Sequence, residues 1–166
     1  MTNRTRNEEV AAMRTALLEI ARTSATGLVG LYAGGVFFQV IAPSLGRMPA
    51  SAYVPYWQAM NADYGRVMPP LLLSTLGLVA AAGALSWGRG WPFALTVAAA
   101  VLIVATIVLT VTRMEPLNHL ADAWSADRVP ADWEAVRRQW LTLHSVRTVV
   151  AVAAFGCLLA ARVTDR

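Results

Sequence analysis

Three long windows without a charged residue divide the chain, at 23–46, 67–88 and 90–112, and they contain 24, 22 and 23 residues. About 20 apolar residues in a helix cross the hydrocarbon core of a bilayer, so each window predicts a membrane span, at about 24–45, 67–88 and 91–112. The second opens on Pro69-Pro70, a pair suited to a first helical turn. Gly88-Arg89-Gly90-Trp91 is so short a link that the spans on either side of it are antiparallel neighbours. The fourth apolar stretch is different, because only 14 uncharged residues separate Arg147 from Arg162. They cover roughly 21 Å of a core about 30 Å thick. To span, at about 141–162, this helix must take Arg147 inside.

Periodicity adds two further elements. Val10, Met13, Leu17 and Ile20 recur at helical spacing among Arg and Glu, which predicts an amphipathic helix over about 5–22 at the membrane surface. The last helix extends back to about residue 131. Along it Trp133, Arg137, Trp140, His144, Arg147 and Ala151 are spaced 4, 3, 4, 3, 4 and so share one face, while Glu134 and Arg138 form an i, i+4 pair on the other. In the first span Gly30 and Gly34 make a small-residue step suited to an internal contact or a dimer seam, and Gln39 should face the bundle interior. The fold expected is all-α: one membrane domain over 1–166, a four-helix bundle with an N-terminal amphipathic helix. Two polar and aromatic loops, 46–66 and 113–140, lie together on one side.

Composition agrees with this pattern. Hydrophobic residues make up 57%, charged residues 14%, and mean hydropathy is +0.49, whereas soluble domains carry roughly 25% charge. All 14 basic residues are arginines, scattered without a basic tract, which argues against nucleic-acid binding. Cys157, the single cysteine, lies in an apolar run and reads as a small buried hydrophobe. The first window is too long for a signal-peptide core despite the small residues of Pro49-Ala50-Ser51-Ala52, so it reads as a retained anchor. An even number of spans puts both termini on one side. Seven arginines on that side face six on the loop side, and Arg4, Arg6, Arg14 and Arg22 precede the first span, which points to cytoplasmic termini in a bacterial-type plasma membrane. Lipid and a small hydrophobic substrate are the expected partners, and a homo-oligomer is compatible with the glycine step.

Ionisable groups inside a membrane mark function by default. His144 and Arg147 enter the membrane on the inward stripe, and Glu115, Asn118, His119 and Asp122 follow the end of span three on the same side, where Pro116 ends or bends the helix. This predicts one polar pocket holding both histidines. Two uses are open: Arg147 pairs with Glu115 or Asp122 as a structural lock of helices three and four while His144 and Asn118 satisfy backbone groups, or the cluster is a catalytic or ligand-binding site. Tyr53, Tyr56, Trp57, Tyr64, Trp124, Trp133 and Trp140 lie over it, as an interfacial belt or as an aromatic entrance for a flat substrate. If a metal or haem is bound, His119, His144, Glu115 and Asp122 are the ligand candidates. The spacing carries no established metal motif, and serine-nucleophile, P-loop and dinucleotide signatures are absent.

The run Glu115-Pro116-Leu117-Asn118-His119-Leu120, followed by Trp133, Arg137 or Arg138, Trp140, His144 and Arg147, resembles the anthrone oxygenase-like family of small four-span membrane proteins. Gly34 or Gly35 through Val40, Pro43, and the Gln58-Met60-Asn61 region are similar to its first span and loop. The resemblance implies a membrane oxidoreductase that oxidises polyketide anthrones to anthraquinones with molecular oxygen, with no cofactor assigned beyond oxygen. His144 stands where an amide is common in the family. In this reading His144 or His119 is the base, Arg147 and Asn118 stabilise the oxyanion, and Glu115 or Asp122 orients the imidazole. Gln39, Tyr56, Trp57, Asn61, Trp124, Trp133, Arg137 and Trp140 contact substrate. The alternatives are a non-enzymatic bundle that binds a lipid-like ligand or a partner protein, and a haem or metal redox protein.

Overall fold

The computed structural model describes residues 3–165; Arg166, counted above among the terminal-side arginines, lies outside them. Five helices follow one another: α1 Asn3–Val40, α2 Ala50–Leu85, α3 Trp91–Leu109, α4 Glu115–Asp122 and α5 Trp133–Val163. Four segments, Arg4–Arg47, Ala50–Leu85, Trp91–Asp122 and Trp133–Val163, are long and apolar enough to cross a membrane. The protein is an all-α integral membrane bundle, in which α1 packs on α2 and α5, and α3 packs on α2 and α5.

The helices are longer than the hydropathy windows. The expected surface helix over 5–22 is not separate, because α1 runs unbroken from Asn3 through the first span. No proline or glycine interrupts Ala21–Thr26, and Arg22 is anchored in the bundle by Asp165. Val10, Met13, Leu17 and Ile20 remain exposed on this extension. α1 ends before Pro43, whose ring disfavours helix at Ala42; Ala42 leaves the helical region, and a short 3-10 turn, Pro43–Arg47, follows.

The expected loop 46–66 is mostly helix. α2 begins at Ala50 and passes through Pro69-Pro70 in its interior. The prolines deprive the carbonyls of Gly65 and Arg66 of their in-helix donors, but tertiary contacts hold the upstream turns in line. Trp57 Nε1 donates to Asn118 at 3.1 Å, Gln58 Nε2 to the carbonyls of Ala121 and Trp124 at 2.9 Å each, and Asn61 to Asp122 at 3.1 Å. A similar substitution of tertiary for local signal occurs after α3. Pro116 does not stop the helix; a wide π turn, Thr110–Met114, precedes it and leads directly into α4. Widening the turn relieves the clash that a proline ring makes with the carbonyl four residues back. Between α2 and α3, Gly88 and Gly90 take positive φ of 81° and 65°, which glycine adopts without strain.

The core has layers. Near the termini it is made of small and branched residues: Ala25, Val29, Val79, Ala99, Ile103, Ala154 and Leu158. Asp165 bridges Arg22 and Arg89, the latter at 3.0 Å, and Arg162 meets Glu19 at 3.5 Å, which closes this end. At mid-depth Tyr32, Ala33, Val36 and Ala151 pack together. Gly30 is an internal contact, since a Cβ there would stand 3.1 Å from the Phe155 ring, whereas Gly34 faces open space. At the loop end the core is aromatic: Tyr53, Trp57 and Trp140 with Met114, Leu117 and Ala121.

Candidate functional site

A cavity of about 360 Å³ lies between α1, α2, the π turn and α5, where the aliphatic core gives way to the aromatic one. Its volume falls in the range of small-molecule sites. Apolar groups such as Val36, Met60, Met68, Leu72, Val111 and Leu141 line most of it; Gln39, Tyr56, Asn61 and Tyr64 line it from α1 and α2, and Glu115 from the start of α4.

The charged group in the span is held by α5 itself. His144 is buried, and its Nε2 lies 2.8 Å from the Val36 carbonyl oxygen. A carbonyl only accepts, so Nε2 carries the proton and Nδ1 is the bare nitrogen. Nδ1 accepts from Arg147 Nη2 at 2.8 Å, and Arg147 Nη1 reaches the Thr110 hydroxyl at 3.4 Å. Thr110 of the π turn and His144, itself held by α1, thereby fix the guanidinium at the edge of the cavity. Trp140 stacks on the His144 ring, with centroids 5.0 Å apart and an interplanar angle of 22°, and this further restricts the imidazole.

Above this pair Asn118 joins three elements. Its Oδ1 accepts from both indole nitrogens, Trp57 Nε1 at 3.1 Å and Trp140 Nε1 at 2.8 Å, while its Nδ2 donates to Glu115 at 2.9 Å. Trp57 packs on Trp140, Tyr53 and Trp124 with ring centroids 5.5, 5.4 and 5.9 Å apart. Buried indoles and amides left unpaired are costly, so Asn118 makes the aromatic layer a specific structure.

Several expectations are corrected by this arrangement. His119 does not share a pocket with His144: it is exposed outside the cavity lining, and Glu115 lies 3.8 Å from it. Arg147 forms no lock with Glu115 or Asp122, because Glu115 is taken by Asn118 and Asp122 by Asn61. Neither carboxylate orients His144; the Val36 carbonyl does. His144 has both ring nitrogens engaged, so it positions Arg147 and has no free nitrogen to act as a base. Asn118 spends its amide on Trp57, Trp140 and Glu115, so it organises the wall of the cavity. Trp124, Trp133 and Arg137 do not line the cavity. Arg137 lies over the Trp133 ring at 4.5 Å and donates to the Met48 carbonyl at 2.6 Å, pinning the link between α1 and α2. The proposed ligand set His119, His144, Glu115 and Asp122 does not assemble, and among the described residues no three His, Cys, Asp or Glu side chains are placed to hold a metal ion. Glu115, Arg147, Gln39, Tyr56, Trp57, Asn61, Trp140 and His144 do come together around one cavity. The Glu134–Arg138 pair forms as expected, at 3.8 Å.

The model of the anthrone oxygenase family matches residues 57–157. The chain belongs to that family. No curated protein and no solved structure matches it. The matched segment of this anthrone oxygenase family member contains the Asn118 hub, the π turn and the His144–Arg147 pair, but the cavity also draws on α1, which precedes it. Tyr32 also lines the cavity, from outside the α5 stripe. Its signal is nevertheless in the sequence: Tyr32, Gly35, Val36 and Gln39 fall at i, i+3, i+4 and i+7, one helix face, and Tyr32 and Gln39 are the two large polar-tipped side chains of the first window.

Proposed function

We propose that this protein is a membrane oxygenase that converts an acidic ring methylene of a flat, hydrophobic aromatic ketone of the anthrone type into a carbonyl, using molecular oxygen. The observation that carries the reading is the presence of one restrained guanidinium, Arg147, and one carboxylate, Glu115, on the wall of a largely apolar cavity. In low dielectric a fixed cation stabilises a developing oxyanion strongly. The ketone oxygen sits at Arg147, and the ring C–H faces Glu115. Glu115 takes the proton, leaving a delocalised carbanion whose charge rests largely on the oxygen held by Arg147. The carbanion gives its electrons to dioxygen, a C–O bond forms, and the resulting peroxide anion takes the proton back from Glu115 to become the hydroperoxide. Loss of water across the C–H and O–O bonds then yields the carbonyl, so that one CH2 and one O2 become one C=O and one H2O. Glu115 replaces His144 as the base because both imidazole nitrogens are engaged. Trp57 and Trp140 offer faces against which a planar ring system packs. The protein works in a bacterial-type plasma membrane with both termini cytoplasmic.

Oxygen uptake with an anthrone, measured on detergent-purified Glu115→Gln and Arg147→Gln, tests these roles. Each variant is expected to lower kcat by about 10²-fold or more, the size of the loss when one oxyanion donor or general base is removed. Undiminished turnover in both variants refutes the assignment. His144→Gln, which removes the acceptor for Arg147, is expected to give a smaller loss.

A further inference from the structure

Tyr32 is a buried polar group at the cavity to which the mechanism gives no task. It lies on α1, ahead of the segment that carries the family match, and is 2% exposed. Its hydroxyl nonetheless has no hydrogen-bond partner, and Arg147 Nε is likewise buried without one. The two side chains line the same cavity. An unpartnered buried hydroxyl is destabilising, so a fold selected for stability alone would favour phenylalanine at this position.

The two unused groups belong together chemically. Arg147 has one bond from Nη1 and one from Nη2 fixing its plane, so Nε–H is the guanidinium nitrogen left entirely unspent. The Tyr32 hydroxyl is a second donor on the facing helix. Among the described residues neither has an acceptor, and a ligand oxygen supplies one. A hydrocarbon would leave both donors unpaired, and an ammonium group would meet the guanidinium with like charge.

We infer that Tyr32 is a ligand-binding residue whose hydroxyl donates to an oxygen of a ligand held in the cavity it shares with Arg147, so that the cavity prefers oxygen-bearing ring systems to hydrocarbons of the same shape. The inference rests on the aromatic-substrate reading above and adds the group that discriminates between substrates. Tyr32 adds a second donor to the cavity, from α1.

Ligand binding to the purified full-length protein in detergent tests this without turnover. The probes are 1,8-dihydroxyanthraquinone and anthracene, followed by quenching of tryptophan fluorescence. The wild type is expected to bind the quinone more tightly than the hydrocarbon. Tyr32→Phe should weaken quinone binding by up to about tenfold, the effect of one hydrogen bond, and leave anthracene binding unchanged. Without ligand, Tyr32→Phe should melt at the same temperature as the wild type or higher, because the hydroxyl it removes is unpaired. Equal quinone affinity in the two proteins overturns the role of Tyr32 and leaves the oxygenase reading standing. A lower melting temperature, or equal weakening of both probes, reveals a structural tyrosine and also overturns it. A wild type that binds neither probe refutes the aromatic cavity itself, and this inference with it.

Discussion

At the end of the bundle that carries both termini, Ala25, Val29, Ala99 and Ala154 let the helices approach closely, and Asp165 ties Arg22 to Arg89 across the surface. At the other end Tyr53 and Trp57 of α2 pack with Trp140 of α5, and the two indoles are fixed by hydrogen bonds to one amide, Asn118. Small side chains make a close-packed seam with no room for a ligand. Large rings cannot interdigitate so completely, and the space left where the two regimes meet is the cavity. The close-packed seam and the cavity therefore lie at different levels along the bundle axis, and each can be perturbed separately.

The sharpest way to break this contrast is at the amide. Asn118→Ala leaves two buried indole N–H groups without their acceptor, and it is expected to cost about 4 kcal/mol on summing the penalties for these two unpaired groups. A fall in melting temperature in detergent together with lost turnover is the expected outcome. Removing the clasp at the opposite end comes next. Asp165→Ala strands Arg22, whose side chain is 3% exposed, at a cost of about 3 kcal/mol for an uncompensated buried charge. Turnover per folded molecule should be retained, and a loss of activity at full folding would show that the two ends are coupled. The smallest effects are expected at the seam glycines. Gly30→Ala brings a methyl group to 3.1 Å from Phe155, and about 1 kcal/mol of overpacking is expected. Gly34→Ala meets nothing within 4 Å, and its melting temperature should lie within the scatter of the wild type. Equal destabilisation at both glycines would instead indicate that Gly34 packs against a second copy of the chain.

How far the sequence discloses this molecule depends on whether a feature is local or relational. The inward face of α5 was legible because a 4, 3, 4, 3, 4 spacing survives any tertiary context: Arg137, Trp140, His144 and Ala151 are all buried. The intrusion of Arg147 followed from counting residues. Helix limits were less legible, because Pro69-Pro70 reads as a start and Pro116 as a stop, whereas contacts from Trp57, Gln58 and Asn61 to α4 carry the backbone past the first pair and a π turn accommodates the other. Partner choice was least legible. The spacing of Glu115 to Asp122 states which polar groups are available, but not that Asn118 takes Glu115, that Asn61 takes Asp122, or that a backbone carbonyl of α1 takes His144. Tyr32 was hidden for a different reason, since a tyrosine in an apolar window raises no alarm until its hydroxyl is seen to lack a partner.

The π turn at Thr110–Met114 sets the phase of everything after it. Helical residues advance by about 100° each, so one residue more or fewer in that turn rotates α4 by the angle that separates Asn118 from His119. Deleting a single residue between Thr110 and Met114 would keep every side chain of α4 and still take the shared acceptor away from both indoles. The site is thus specified by an angular offset as much as by its residues, and a change in chain length at this point would alter it more than most substitutions within it.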